Sequence, residues 1–361
     1  MSLDSYVTLG RSGLKVSPIS LGAMTFGEDL GWGSSVEDSN TIMDRYIDRG
    51  GNLIDTANMY TKSHSEKIVG DHIGRDHAKR DRLVLSTKFS GSLYPGDPNG
   101  GGSSRKSIIE QCENSLRRLQ TDYIDLYWLH NWDRHTPIDE TMAALDALVQ
   151  AGKVRYLGVS DTPAWKIVEG SMLARFRGWA PFIALQVEYS LLARSVEQEL
   201  IPMAREFGIG VMPWSPLKAG LLTGKFTRDN AGSNEGTRSA DRADLFTEDT
   251  FTLIDELTAV ASKHDTTVAR VALNWVTKQP GVDSTIIGAR TLAQLEDNIG
   301  ATELTLEQAE LDHLTALTKP EFTFPQNLEP AFPAIHHGGA SVNGDYADAS
   351  PISVQPGDQV H

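Results

Sequence analysis

Eight short apolar segments alternate with amphipathic segments along this chain of 361 residues, and the alternation predicts an α/β protein. Strands joined through helices pair in parallel, and eight such units close into a (β/α)8 TIM barrel. An open doubly wound sheet is the alternative, but LGAMTFG follows the first strand instead of a G-x-G-x-x-G turn. We therefore predict a single-domain (β/α)8 barrel.

The predicted barrel strands are short runs rich in β-branched and aromatic residues: PISLGAM, NLIDTA, LVLSTKF, IDLYWLH, VRYLGVS, FIALQVEYS, GIGVMPWS and STIIGA. The first helix is predicted from Glu37 to Arg49, because Gly50 and Gly51 follow it and glycine favours helix ends. The next helical stretches are SEKIVGDHIG, SRKSIIEQCENSLRRLQ, DETMAALDALVQAG, PAWKIVEGSML and VEQELIPMAREFG. In PAWKIVEGSML we expect Pro163 at the first helical position, which tolerates its missing N–H.

Two stretches do not fit eight plain repeats. A long polar loop, residues 218–246, follows the seventh barrel strand and precedes a helix that begins near Asp249, and loops of this length usually cover a ligand. We place the barrel at residues 1–318 and a C-terminal substrate-loop or tail segment at residues 319–361. Phe322, Phe324 and Phe332 in the tail are expected to pack on the barrel, whereas the final part is either disordered or an oligomer arm.

Composition and charge narrow the class of protein. The net charge of −15 is spread along the chain, so nucleic acid is an unexpected partner. No run approaches the about 20 apolar residues of a membrane span, and MSLDSYVTLGRSG lacks a signal-peptide pattern. The single Cys112 fits a reducing compartment, so we expect a cytoplasmic protein with a small-molecule partner. No metal site is expected, because the histidines lack the spacing of a zinc site: His64, His72, His77, His336 and His337.

Four residues in the first half of the chain point to proton transfer. Asp55, Lys88 and His130 lie at or within two residues of the ends of predicted strands, and Tyr60 lies one short loop beyond Asp55. The carboxyl ends of barrel strands converge on one rim, so these side chains should meet there. A buried aspartate and a buried lysine each need a partner, and a cation beside a tyrosine favours its phenolate form.

The spacing around Asp55 resembles the aldo-keto reductase superfamily. GGNLIDTANMY followed by SEKIVG carries the resemblance, which continues through STKF, LYWLHN, GKVRYLGVSD, LQVEYSLL, PWSPLKAGLLTGK and IIGARTLAQLEDN, over roughly residues 8 to 317. It implies an oxidoreductase in which NADPH gives hydride to an aldehyde or ketone. Tyr60 would then protonate the carbonyl oxygen, while Lys88 lowers the tyrosine pKa, Asp55 holds Lys88 and His130 orients the carbonyl.

The resemblance also implies the cofactor contacts. Ser160 and Gln186 would bind the nicotinamide carboxamide together with Asp161, which stands where asparagine is often found. Trp214 would stack on the nicotinamide ring. The remaining expected contacts lie at the pyrophosphate (Ser215, Leu217, Gly220 and Lys225) and at the adenosine end (Gly288, Arg290, Gln294 and Asn298, with Asp297 a weaker candidate). Arg290 can clamp a 2′-phosphate, which favours NADPH/NADP+ over NADH.

Substrate contacts are expected from the aromatic residues of the loops above the barrel: Phe26, Trp32, Phe89 and Trp132. Such a mouth suits a flat or apolar aldehyde or ketone, although sugars also stack on tryptophan. Two other functions stay open. Potassium-channel β subunits resemble this barrel and act as nucleotide-sensing partners, and a barrel hydrolase would need two carboxylates across one cleft. Whether the chain forms a homo-oligomer is also open.

Overall fold

A computed structural model describes residues 2–230, 243–355 and 357–360. The chain divides into two compact units, residues 1–318 and residues 319–361. The larger unit contains the predicted barrel. The predicted long loop, residues 218–246, lies partly outside the described residues. The described part of it includes a 3-10 helix at Lys218–Thr223 and another at Ala243–Leu245.

Eight parallel strands form one sheet in which neighbours in space are neighbours in sequence. The strands are β3 (Ile19–Gly22), β4 (Leu53–Asp55), β5 (Val84–Phe89), β6 (Ile124–Leu129), β7 (Val154–Ser160), β8 (Phe182–Glu188), β9 (Gly210–Trp214) and β10 (Thr285–Gly288). The last strand, β10, pairs with the first, β3. Val211 in β9 bonds the segment just before β10, because its N–H donates to Gly281 O at 3.1 Å and its carbonyl accepts from Asp283 N at 3.0 Å. The sheet is thus a nearly closed barrel, and the (β/α)8 prediction is confirmed.

The helices of the larger unit surround this sheet: α1 (Val36–Asp48), α2 (His64–Val69), α3 (His77–Arg80), α4 (Arg105–Leu119), α5 (Ile138–Gln150), α6 (Ala164–Arg177), α7 (Leu200–Phe207), α8 (Glu248–Lys263), α9 (Val268–Thr277), α10 (Leu292–Gly300) and α11 (Gln308–Leu317). Several start where a side chain accepts a backbone N–H, as Ser35 does for α1 and Ser104 for α4. Pro163 occupies the cap of α6 rather than its first turn, so that detail of the prediction is wrong by one position.

An antiparallel hairpin that we did not predict precedes the barrel. Its strands, β1 (Val7–Thr8) and β2 (Lys15–Val16), are only two residues long, too short for a period-2 pattern to reveal. Leu9 and Val16 join a compact apolar cluster with inward residues of the strands, including Leu53, Met212 and Ile286. Leu53 begins β4 and Ile286 lies in the first half of β10, so the cluster fills the amino-terminal half of the barrel. The opposite, carboxyl-terminal rim is left for the functional side chains.

The smaller unit contains a 3-10 helix (Gln326–Ala331), α12 (Phe332–His336) and a hairpin of β11 (Ser341–Val342) and β12 (Asp345–Tyr346). Within the residues that the structure describes, no helix is both long and apolar enough to cross a membrane. The same residues contain no group of three or more His, Cys, Asp or Glu side chains arranged to hold a metal ion.

Candidate active site

A cavity of about 620 Å³ opens at the carboxyl ends of the strands. Its walls include three of the four residues predicted to be catalytic and every residue predicted to bind the cofactor: Asp55, Tyr60, His130, Ser160, Asp161, Gln186, Trp214, Ser215, Leu217, Gly220, Lys225, Gly288, Arg290, Gln294 and Asn298. Asp297, the weaker candidate, also lines it. The fourth catalytic candidate, Lys88, lies directly behind Asp55.

Lys88 and Asp55 form a buried ion pair at the base of this cavity. The Lys88 side chain is fully buried; its ammonium donates to Asp55 Oδ2 and, at 2.9 Å, to the carbonyl of Thr56. Ser86, which faces Asp55 across the β4–β5 register, donates to Asp55 Oδ1 at 2.6 Å. Burial opposes the charged form of Lys88, but Asp55 and Tyr60 together act in the opposite direction, and the net effect raises the pKa of Lys88 above its ordinary value. The lysine is therefore a fixed cation.

Tyr60 stands above that cation on the cavity wall. The Lys88 ammonium lies 4.8 Å from the centroid of the Tyr60 ring. Burial raises the pKa of Tyr60 above its ordinary value, while the charge of Lys88 and its hydrogen bond to the tyrosine act in the opposite direction. The net direction differs from the simple expectation that Lys88 lowers the pKa, because removal of the phenolate from water is the larger effect. Tyr60 is consequently a protonated phenol that has a proton to give.

An unusual backbone segment follows Tyr60. Thr61, Lys62 and Ser63 all have left-handed backbone conformations, with φ of 46°, 57° and 76°. Residues other than glycine rarely adopt this conformation. Two side-chain hydrogen bonds hold the segment: Thr61 Oγ1 donates to Phe26 O at 2.8 Å, and Ser63 Oγ donates to Asn58 O at 2.7 Å. Such strain persists only where the surroundings enforce it, and here it lies directly after Tyr60, which lines the cavity.

His130, one residue beyond β6, completes the reactive end of the cavity. Its ring meets Tyr60 edge to face, with centroids 5.8 Å apart and an interplanar angle of 81°. Burial, helped by the charge of Lys88, lowers the pKa of His130 to about 3. The imidazole is therefore neutral near pH 7, and a neutral imidazole can donate one hydrogen bond without carrying charge.

The carboxyl-terminal parts of three adjacent strands, β7, β8 and β9, position four further side chains on the cavity wall: Ser160, Asp161, Gln186 and Trp214. Ser160, the last residue of β7, is the register partner of Gln186, which lies two residues before the end of β8. Gln186 Nε2 also donates to Asp55 Oδ1 at 3.4 Å, which links this group to the ion pair. Trp214 Nε1 donates to Asp161 Oδ1 at 3.2 Å. Burial raises the pKa of Asp161 above its ordinary value.

The far end of the cavity is cationic. The pKa of Lys225 is lowered by partial burial and by the nearby charge of Arg290. Within the described ranges, neither cation forms an ion pair with a carboxylate. Gly220 has a φ of 92°, and a Cβ there would lie 3.1 Å from Lys225 Nζ, so glycine lets the ammonium approach the loop. At the same end Gln294 Oε1 accepts from Arg290 N at 2.9 Å. This end is suited to a phosphorylated ligand.

The expected substrate contacts need correction. Phe26 and Phe89 are wholly buried in the hydrophobic core and do not line the cavity. Successive strand residues point to opposite faces, so Phe89 must face outward, against Tyr127, because Lys88 faces inward. Trp32 and Trp132 are half-buried and also do not line the cavity; the Trp132 ring instead meets Trp165 edge to face at 5.4 Å.

The cavity mouth is lined instead by Met24, Leu30 and Met59, which are exposed apolar side chains that sequence reasoning missed. Met24 lies two residues beyond β3, so the same strand-end rule that found Asp55 and His130 would have found it. Leu30 and Met59 lie in irregular loops and carry no such signal. A further missed pair is Lys218 and Glu188, whose side chains form an ion pair of 2.6 Å beside the lining residues of the loop after β9.

Comparison with known proteins agrees with this architecture. The model of the aldo/keto reductase family matches residues 18–319. An uncharacterized oxidoreductase, YrpG, of Bacillus subtilis is 39% identical over 84% of this chain and 92% of its own length. The putative aryl-alcohol dehydrogenase AAD14 of Saccharomyces cerevisiae is 33% identical over 90% of this chain and 89% of its own length. Norsolorinic acid reductase B of Dothistroma septosporum is 34% identical over 96% of this chain and 86% of its own length.

The family generally uses nicotinamide cofactors, and the match covers the whole barrel and all the cavity-lining residues. With the barrel, the buried Lys88–Asp55 pair beneath Tyr60 and the cationic far end of the cavity, these similarities lead to one conclusion: the chain is an oxidoreductase of the aldo/keto reductase family.

Proposed function

We propose that the protein is an NADPH-dependent carbonyl reductase that converts an aldehyde or ketone to an alcohol, reversibly. The observation that carries the proposal is one continuous cavity with a protonated tyrosine above a buried lysine at one end and two cations at the other. NADPH has its reactive ring at one end, a 2′-phosphate on the adenosine at the other end and a pyrophosphate between them, so a cavity with a tyrosine at one end and cations at the other suits it.

The residues present fit such a cofactor. Trp214 offers an indole face, Ser160 and Gln186 offer hydrogen-bonding groups near the Asp55 ion pair, and Lys225 and Arg290 are cations facing the same cavity. When bound, the reduced nicotinamide supplies hydride to the carbonyl carbon. Arg290 is proposed to bind a 2′-phosphate through its planar guanidinium, which is the basis for preferring NADPH over NADH.

The chain's own residues are proposed to handle the proton. Tyr60 donates its phenolic proton to the carbonyl oxygen as the alcohol forms, and the fixed charge of Lys88 stabilises the phenolate that remains. Asp55 keeps that ammonium in place. His130, being neutral, donates a hydrogen bond to the carbonyl oxygen and orients it toward Tyr60 without competing as an acid.

An apolar aldehyde or ketone with a flat ring is the proposed substrate class. The mouth exposes Met24, Leu30 and Met59, and unbranched methionine side chains adapt to aromatic surfaces. Among the described lining residues of the mouth there is no cluster of amides and acids of the kind that would bind a sugar's hydroxyl groups. The names of similar proteins, aryl-alcohol dehydrogenase and norsolorinic acid reductase, agree with an aromatic carbonyl.

The proposal is tested by following loss of NADPH absorbance with a panel of aromatic aldehydes, aliphatic ketones and keto-sugars. We expect turnover of at least one aromatic carbonyl by the wild type and loss of most of it in Tyr60→Phe. Tyr156→Phe is the matched control, because Tyr156 packs against the apolar cluster in the opposite half of the barrel. NADPH binding without turnover of any carbonyl would instead favour a nucleotide-sensing subunit.

A further inference from the structure

One cavity-lining residue carries a charge that its structural surroundings do not require. Asp161 follows the last residue of β7 and has a left-handed backbone with a φ of 42°. Asparagine and aspartate both tolerate this conformation. Trp214 Nε1 donates to Asp161 Oδ1 at 3.2 Å, and the side chain of Ser160 also hydrogen-bonds the carboxylate. Both partners are neutral, and an asparagine oxygen has two lone pairs with which to accept hydrogen bonds. The backbone and the hydrogen bonds therefore explain the shape of the side chain but not its charge.

The charge of Asp161 faces the reactive end of the cavity. Asp161 is exposed to the cavity, and its carboxylate is close enough to act electrostatically on both Tyr60 and Lys88. Within the part of the chain that the structure describes, it forms no ion pair; its neighbour Glu188, by contrast, is paired with Lys218. Among the described residues, the Asp161 carboxylate is thus a negative charge without an ion-pair partner, beside the indole of Trp214.

We propose that Asp161 makes the site selective for the oxidised cofactor, because its carboxylate attracts the cationic ring of NADP+ and has no such attraction for the neutral ring of NADPH. This inference rests on the proposed function, which places the nicotinamide against Trp214. The phosphates and the adenosine are identical in the two forms, so only the nicotinamide ring, which is cationic in NADP+ and neutral in NADPH, distinguishes them. Asp161 is accordingly a specificity-determining residue for the oxidation state of the cofactor.

The same attraction has a consequence for the reaction. Transfer of hydride from the ring to the carbonyl carbon leaves a positive charge on the ring, while the proton from Tyr60 neutralises the alkoxide oxygen. The Asp161 carboxylate stabilises the positive charge as it develops and then slows the release of NADP+. An opposite charge within about 4 to 6 Å typically favours the charged form of a group at least tenfold. Because Asp161 is partly solvated, we expect an effect near that lower limit, about tenfold.

The test measures the dissociation constants of NADP+ and NADPH by isothermal titration calorimetry for the wild type, Asp161→Asn and Asp297→Asn. Asp161→Asn removes the charge and keeps the size, the backbone tolerance and the acceptor for Trp214. We expect its NADP+ dissociation constant to rise about tenfold relative to that of NADPH. Asp297→Asn is the matched control, because Asp297 lines the same cavity but is paired with Arg270 near the phosphate-binding end. It should leave the ratio unchanged.

An unchanged ratio in Asp161→Asn, or equal weakening of both forms, would overturn the inference. Asp161→Ala removes both the charge and the hydrogen bond to Trp214, so comparison with Asp161→Asn separates the two effects. Asp161→Ala should raise the ratio of the NADP+ to the NADPH dissociation constant as much as Asp161→Asn does. A wild-type ratio in Asp161→Ala would also contradict a role for the charge. The proposed function fails differently, since it fails if neither nucleotide binds to the wild type or if carbonyl turnover survives in Tyr60→Phe.

Discussion

Replacement of Lys88 by methionine should destabilise the protein strongly. Lys88 is fully buried and Asp55 is only 2% exposed, so the variant leaves a buried carboxylate whose cation has been removed. The remaining donors to Asp55 are neutral: Ser86 Oγ at 2.6 Å and Gln186 Nε2 at 3.4 Å. Breaking a buried pair by removing one partner typically costs about 3 to 5 kcal/mol. Two neutral donors offset part of this, so we expect about 3 kcal/mol.

The assay is urea unfolding of the wild type, Lys88→Met, Asp55→Asn and the double variant. The double variant should recover part of the lost free energy of unfolding, because it contains neither unpaired charge, and the interaction energy of the cycle should exceed about 1 kcal/mol. A Lys88→Met protein within about 1 kcal/mol of wild type would refute the argument. Carbonyl reduction should stay low in the double variant even though it is stable, since the phenolate of Tyr60 has lost its cation.

Three further predictions follow from the cavity. Arg290→Ala should weaken NADPH binding by about 10- to 100-fold and NADH binding much less, measured by calorimetry; equal losses would contradict a 2′-phosphate contact. Lys218→Met and Glu188→Gln should weaken NADPH binding to a similar extent, and the double variant should weaken it no further, because one partly buried ion pair holds the loop after β9. Tighter binding by Glu188→Gln would instead identify Lys218 as a direct phosphate ligand. The pKa of His130 is about 3 in the native protein and about 6.5 in the unfolded chain, so the unfolded chain binds more protons between pH 3 and pH 6.5. The free energy of unfolding should therefore fall as the pH drops through this range. His130→Gln should reduce the dependence of the free energy of unfolding on pH. An unaltered slope would contradict burial of a neutral imidazole.

Residues at strand ends were the part of the site that the sequence could predict. Asp55, Lys88 and His130 stand in or directly after apolar runs, where a charged or titratable side chain is costly without a partner, and the barrel places those run ends on one rim. The predicted cofactor contacts came from the family resemblance, and the structure places all of these residues on the wall of one cavity.

Residues in irregular loops escaped prediction for a physical reason. Which way a loop side chain points depends on tertiary contacts, as at Phe26, whose carbonyl accepts a hydrogen bond from Thr61 while its ring enters the core. Phe89 could have been excluded as a cavity residue, because neighbouring strand residues point to opposite faces and Lys88 points inward. Leu30 and Met59, which do line the cavity, lie in loops where no periodic pattern predicts the direction of a side chain. The sequence also could not predict the direction of the Tyr60 pKa shift. This direction depends on whether burial, which raises the pKa, has a larger effect than the Lys88 charge 4.8 Å from the ring centroid, which lowers it.

The central claim is that Tyr60 gives the proton that accompanies hydride transfer. It is tested most directly by single-turnover stopped-flow measurement of NADPH oxidation in wild type and Tyr60→Phe, with the NADPH dissociation constant measured on the same samples. We predict that binding changes by less than about threefold while the single-turnover rate falls by about 10² to 10⁴, the usual contribution of a general acid. A Tyr60→Phe rate within about tenfold of wild type, with NADPH bound normally, would contradict the claim.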